Sequence, residues 1–135
     1  MQRSRARELV LFALYRAEFL PVVLDEVCED EDPGDQRPYI ESVYNGIVAR
    51  RDEIDRMIGE RTVGWRFDRL ALLDRNILRI GVYELLYSED VPPEVALDEA
   101  VELAKSYGTE QARGFINGIL DRVWKEKRER ENASG

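Results

Sequence analysis

The 135-residue chain contains no histidine. The side chain that most often moves protons near neutral pH, and the commonest nitrogen ligand of metals, is therefore missing. The single cysteine, Cys28, can close no internal disulfide and can build no thiolate metal site alone. It reads as a small residue on the apolar side of a short helix, and one reduced thiol suits the cytoplasm. Long apolar runs are missing as well. The longest, residues 9–15, is seven residues long, whereas a membrane-spanning helix needs roughly 20. Arg3, Arg5 and Arg7 ahead of that run imitate a secretory leader, but Glu8 interrupts it. Arg16 and Glu18 then follow without a small-residue cleavage site, so no targeting signal and no membrane association are expected. Glycine-rich phosphate loops, serine nucleophile elbows and paired-cysteine motifs are also absent. Together these absences argue against an enzyme and predict no cofactor.

Bases are in the minority. Twenty Lys and Arg stand against 28 Asp and Glu, a net charge of −8, and such a balance ordinarily counts against a phosphate-binding partner. The average hides a gradient. Residues 25–35 hold seven acids and no base, which leaves 20 bases against 28 − 7 = 21 acids elsewhere. Residues 1–16 carry Arg3, Arg5, Arg7 and Arg16 against Glu8 alone, a local balance of +3. The overall 44% hydrophobic and 36% charged content suits a soluble globular chain of one domain, residues 1–135.

Apolar residues recur at helical spacing almost throughout, with no sustained alternation of period two. The pattern predicts an all-α bundle of about six or seven helices. A central helix over residues 3–20 carries Ala6, Leu9, Val10, Ala13, Leu14 and Ala17 on one face. A short helix starts at Pro21, the acidic stretch through Pro33-Gly34 forms a loop, and a long helix spans 38–58. Trp65 and Phe67 precede a helix over 69–87 that breaks near Asp74, with Asp74 capping its second half. Pro92-Pro93 opens a helix over 94–107, which Gly108 ends as a left-handed cap. Thr109 then caps a helix over 110–128, and residues 132–135 fray.

Two internal echoes stand out. Arg7-x-Leu9-Val10-x-x-Ala13-Leu14-Tyr15 returns 68 residues later as Arg75-x-Ile77-Leu78-x-x-Gly81-Val82-Tyr83. Asn45-Gly46-Ile47-Val48-x-Arg50 returns 72 residues later as Asn117-Gly118-Ile119-Leu120-x-Arg122. Similar offsets for separate pairs predict a duplicated three-helix unit, with halves at about 1–62 and 63–131 meeting along one core.

Three clusters are candidates for binding. Arg3, Arg5 and Arg7 either form a solvated helix start or grip a phosphate backbone with guanidinium forks. Arginine at a helix N-terminus opposes the macrodipole, which hints at a role beyond stability. Phe115, in Ala112-Arg113-Gly114-Phe115-Ile116-Asn117-Gly118, either joins the core or stacks on an unpaired base. The glycines beside it thin the helix surface at a cost of about 1 kcal/mol each relative to alanine. In Asp74-Arg75-Asn76-Ile77-Leu78-Arg79, Asp74 either caps a helix or meets a base edge, and Arg75 lies one turn from Arg79.

The residues carry a family resemblance. Arg5-Ala6-Arg7-Glu8 leading to Ala13-Leu14-Tyr15 resembles the opening of the NusB family of bacterial transcription antitermination factors. The likeness continues through Asp74-Arg75-Asn76-Ile77-Leu78-Arg79-Ile80-Gly81-Val82-Tyr83-Glu84-Leu85 and Val91-Pro92. Ala96-Leu97-Asp98-Glu99-Ala100-Val101-Glu102-Leu103-Ala104-Lys105 and Phe115-Ile116-Asn117-Gly118-Ile119-Leu120 complete it. Only the acidic loop and the tail fall outside.

The resemblance implies an all-helical RNA-binding protein of two three-helix halves. Such a protein joins the small-subunit ribosomal protein NusE on boxA RNA and helps RNA polymerase pass terminators, above all in ribosomal RNA operons. It implies RNA contacts at Arg3, Arg5, Arg7, Tyr15, Asp74 and Phe115, with Arg75 and Arg113 beside them. Ser4 interrupts the arginine run, and Gly114 stands where a basic residue can precede the phenylalanine. Both departures imply weaker RNA binding without the partner. The same module opens some RNA cytosine methyltransferases, but no methyl-donor domain follows here, so a stand-alone adaptor is expected. The competing class is a protein–protein scaffold, such as a homodimer.

Overall fold

Apolar side chains spaced three and four residues apart fold the chain into seven α-helices, with no strand among the described residues. The computed structural model describes residues 1–62 and 67–134. Trp65, expected just ahead of the fifth helix, lies outside the described residues. The helices are α1 (Arg3–Ala17), α2 (Leu24–Val27), α3 (Arg37–Ala49), α4 (Arg51–Glu60), α5 (Leu72–Leu86), α6 (Pro93–Tyr107) and α7 (Ala112–Ser134). Two single 3-10 turns, Gly34–Gln36 and Phe67–Arg69, lead into α3 and α5. Among the described residues no helix is long and apolar enough to cross a membrane.

The central helix is α5, not α1. It packs against α1, α3, α4, α6 and α7, and every residue from Asn76 to Leu85 is buried. One continuous core results. Leu11 and Val10 of α1, Ile40 and Ile47 of α3, Ile54 and Ile58 of α4, and Ile116 and Leu120 of α7 all enter it.

Several expected boundaries move, each for a local reason. The long helix expected over 38–58 is broken at Arg50, whose backbone leaves the helical region at φ −114°, ψ 18°. The break redirects α4 so that Ile54 and Ile58 reach the core beside α5. The first helix stops at Ala17, and α2 begins at Leu24 rather than at Pro21. Asp74 neither breaks α5 nor caps its second half, because α5 is continuous from Leu72 to Leu86.

Gly108 ends α6, but in extended backbone at φ −82°, ψ 169°, not in a left-handed cap. Glycine is needed there for space. A Cβ would lie 2.8 Å from the Ala104 carbonyl oxygen and 3.0 Å from Asp74 Oδ1. The tail expected to fray from residue 132 is helical through Ser134.

Candidate nucleic-acid interface

The N-terminal arginines follow three different courses, set by helical geometry. Successive residues on α1 are about 100° apart, so Arg7 joins the buried stripe of Ala6, Val10 and Leu11 while Arg3 and Arg5 lie at its edges. The Arg7 side chain is 3% exposed, with Nε donating to Glu84 Oε1 at 2.7 Å and Nη2 to Glu84 Oε2 at 3.0 Å. Tyr39 of α3 donates its hydroxyl to the same Glu84 oxygen at 3.1 Å. Burial and the adjacent Glu84 charge push the Tyr39 hydroxyl well above its ordinary value. Arg7 is therefore a strut inside the fold.

Arg3 and Arg5 remain partly open. Arg3 Nε donates to Gln36 Oε1 at 2.6 Å, and its guanidinium lies 4.2 Å from the centre of the Tyr39 ring. Arg5 donates through Nη1 to Glu8 Oε2 at 2.7 Å and through Nε to both carboxylate oxygens of Glu31. Its guanidinium also lies 5.5 Å from the Phe12 ring.

From Arg5 a polar and aromatic band runs along α1 to the start of α7. Glu8 accepts from the Tyr107 hydroxyl as well as from Arg5, and Tyr107 meets Phe12 edge-on with centroids 5.2 Å apart. Beyond Tyr107 lies a concavity of about 330 Å³ walled by Tyr15, Leu72, Leu73, Asp74 and Thr109. Tyr15 is 40% exposed and packs edge-on against Phe19.

Asp74 sits at the back of this concavity, 2% exposed, with its carboxylate already engaged. Oδ1 accepts the Thr109 amide at 3.0 Å and Oδ2 the Thr109 hydroxyl at 2.9 Å. The residue expected to cap the second half of its own helix instead fastens the α6–α7 loop to α5. Thr109, expected as an N-cap, spends its hydroxyl on Asp74. Arg75 turns the same way, donating to the carbonyls of Asp68 and Leu70 at 3.2 and 3.1 Å beneath the Phe67 ring.

On the first turns of α7, Arg113 is exposed and reaches the Lys105 carbonyl at 3.4 Å. Phe115 is half-buried against the core. The outer face of this helix is open, since a Cβ on Gly114 or Gly118 would meet nothing within 4 Å. The internal repeat makes that openness informative. Gly46 is covered by the Tyr83 ring, which a Cβ there would strike. At the echoed positions, Gly118 is uncovered and Tyr15 is turned to Phe19 and left 40% exposed. α3 packs on α5, whereas α1 and α7 share no comparable packing.

Sequence reasoning missed Tyr107, Glu84 and Tyr39. Glu84 had a visible signal, a lone charge at the end of the apolar run Ile80-Gly81-Val82-Tyr83. Tyr107 had only its place before a helix-ending glycine.

The fold and this surface define an all-helical binding protein, with no cluster of metal-ligating side chains among the described residues. The model of the NusB family matches residues 4–125. The chain belongs to the NusB family. It is 39% identical over 126 residues to the transcription antitermination protein NusB of Bacillus subtilis, covering 91% of this chain and 95% of that one. A solved T. maritima NusB is 39% identical, with a TM-score of 0.82 over 93% of this chain and 92% of the other. A solved complex of the antitermination factors NusB and NusE with dsRNA contains a chain 30% identical to this one. It aligns with a TM-score of 0.80 over 93% of this chain and 99% of that chain. Membership makes this protein a transcription antitermination factor rather than an enzyme.

Proposed function

We propose that the chain binds boxA-type single-stranded RNA jointly with NusE and so promotes read-through by RNA polymerase, above all in ribosomal RNA operons, in the bacterial cytoplasm. The observation that carries this reading is the band from Arg5 through Phe12 and Tyr107 to the Tyr15 concavity, with Arg113 and the half-buried Phe115 on the first turns of the helix that follows. Arg3, Arg5 and Arg113 supply guanidinium forks for phosphates. Tyr15 and Phe115 supply ring faces for unpaired bases. Arg7, Asp74 and Arg75 act through position. Arg7 holds the N-terminal turn of α1 on the core, Asp74 sets the loop that presents α7, and Arg75 braces the entry to α5.

The solved NusB–NusE complex holds dsRNA. A single strand is preferred here because the exposed Tyr15 ring and the open outer face of α7 suit splayed bases. Phe115→Ala should weaken boxA binding by about 1–3 kcal/mol if the ring stacks, measured with NusE present and with helicity checked. An unchanged affinity in a folded variant removes Phe115 from the interface. Replacing Arg3 and Arg5 by alanine should flatten the log–log salt dependence by about 0.7 for each lost phosphate contact. An unaltered slope returns both to the role of a solvated helix end.

Phe19, Leu20 and Val23 favour a second reading, in which this end of α1 is a protein contact for NusE or a second copy. They are 62%, 57% and 50% exposed.

A further inference from the structure

The acidic segment is largely exposed, yet two of its acids are held against α1. Arg5 and Arg16 are 11 residues apart, so they come round to the same side of the helix after three turns. Glu31 accepts Arg5 Nε through both oxygens, at 2.9 and 3.1 Å, and also accepts Arg5 Nη2. Glu26 accepts Arg16 Nη2 at 3.2 Å. Asp25, one residue earlier, is paired with Arg37 Nη1 of α3 at 2.6 Å, which anchors the segment at its start. The strongest of these contacts is the one at Arg5, and the Arg5 guanidinium holds the Glu31 carboxyl below its ordinary value. A carboxylate set bidentately on a guanidinium occupies the geometry that a phosphate would take.

We propose that residues 26–31 are an autoinhibitory strap, in which Glu31 fills the fork of Arg5 and Glu26 holds one amino group of Arg16 until an RNA backbone displaces them. The inference rests on the RNA reading above and adds Arg16 to its contacts. Ion pairs this exposed are weak enough to be exchanged for phosphate. Glu29, Asp30 and Asp32 remain exposed or half-exposed around them and repel any polyanion that fails to make the exchange. The strap thereby raises the threshold for non-specific RNA, while a strand that also engages the rings of α1 and α7 can still displace it.

The test uses the full chain with NusE and a boxA oligonucleotide. Glu26→Gln with Glu31→Gln removes two charges from the strap at constant shape. Glu94→Gln with Glu129→Gln removes the same charge from exposed positions on α6 and α7, outside the acidic segment. The strap variant should bind about three- to tenfold more tightly than wild type, as release of weak exposed pairs allows. The control variant should gain clearly less. In an Arg5→Ala background, Glu31→Gln should give no gain. Equal gains in the strap and control variants overturn the strap, because charge anywhere then suffices. A gain that survives Arg5→Ala overturns it too. If neither wild type nor any variant binds RNA, the RNA reading itself fails and the strap falls with it. That outcome is distinct from normal binding with no difference among variants.

Discussion

Glu84→Ala is expected to lower the stability of the fold by about 3–5 kcal/mol, the cost of leaving one member of a buried ion pair alone. Glu84 is 2% exposed and lies at the junction of three helices. On α5 it holds the Arg7 fork of α1 from one side and the Tyr39 hydroxyl of α3 from the other. Its removal leaves the guanidinium with Glu99 Oε2 at 3.6 Å and the Tyr39 ring at 5.6 Å, and a buried hydroxyl without its acceptor. Urea unfolding gives the number directly. Arg7→Met combined with Glu84→Leu should recover most of the loss, since an apolar pair of similar bulk has no charge to strand. A loss below about 1 kcal/mol for Glu84→Ala, the range of an exposed pair, would show that water reaches Arg7. A double variant no better than the single one would show that shape, not charge, sets the cost.

Arg79→Ala should cost about 1–3 kcal/mol by taking the main partner from two acids, which keep the Arg51 guanidinium at 3.2 Å from Glu18 and 3.8 Å from Asp55. The Arg79 side chain is 3% exposed. It donates to Asp55 Oδ1 and Oδ2 at 2.7 and 2.9 Å, to Glu18 Oε1 at 2.8 Å and to Asn76 Oδ1 at 2.7 Å. It thereby ties α5 to α4 and to the residue just after α1. A pH signature accompanies the loss. Partial burial alone would raise the Glu18 carboxyl, but the Arg79 hydrogen bond and charge outweigh it and hold it below the ordinary value of 4.5. A carboxyl depressed in the folded state stabilises the fold above its ordinary value, and that contribution disappears as pH falls through the depressed one. The gap between wild type and Arg79→Ala should therefore narrow as urea unfolding is carried from neutral pH to well below 4.5. A gap independent of pH would remove the Glu18 contact from the account.

What the sequence showed and what it hid divide along physical lines. Helical periodicity showed the helices, because burying an apolar stripe is a local and repeated demand, and the sequence echoes fall on α1, α3, α5 and α7. The break at Arg50 was hidden. No glycine or proline stands there, and only the need of Ile54 and Ile58 to reach the core makes the chain turn.

Candidate contacts were legible as residue types but not as directions. Arg7 and Arg5 are two residues apart, yet one is sealed against Glu84 and the other lies against the acidic segment. Asp74 looked free to cap its own helix because its actual partner, Thr109, is 35 residues away. The acidic stretch looked like a solvated loop because nothing local pairs it. Its partners lie on α1 and α3.

A joint RNA surface completed by NusE should be visible by size-exclusion chromatography of the chain, NusE and a boxA oligonucleotide. A complex containing all three is expected, stronger than either pairing with RNA alone and lost when the oligonucleotide sequence is scrambled. A stable homodimer that ignores both NusE and the RNA would contradict it.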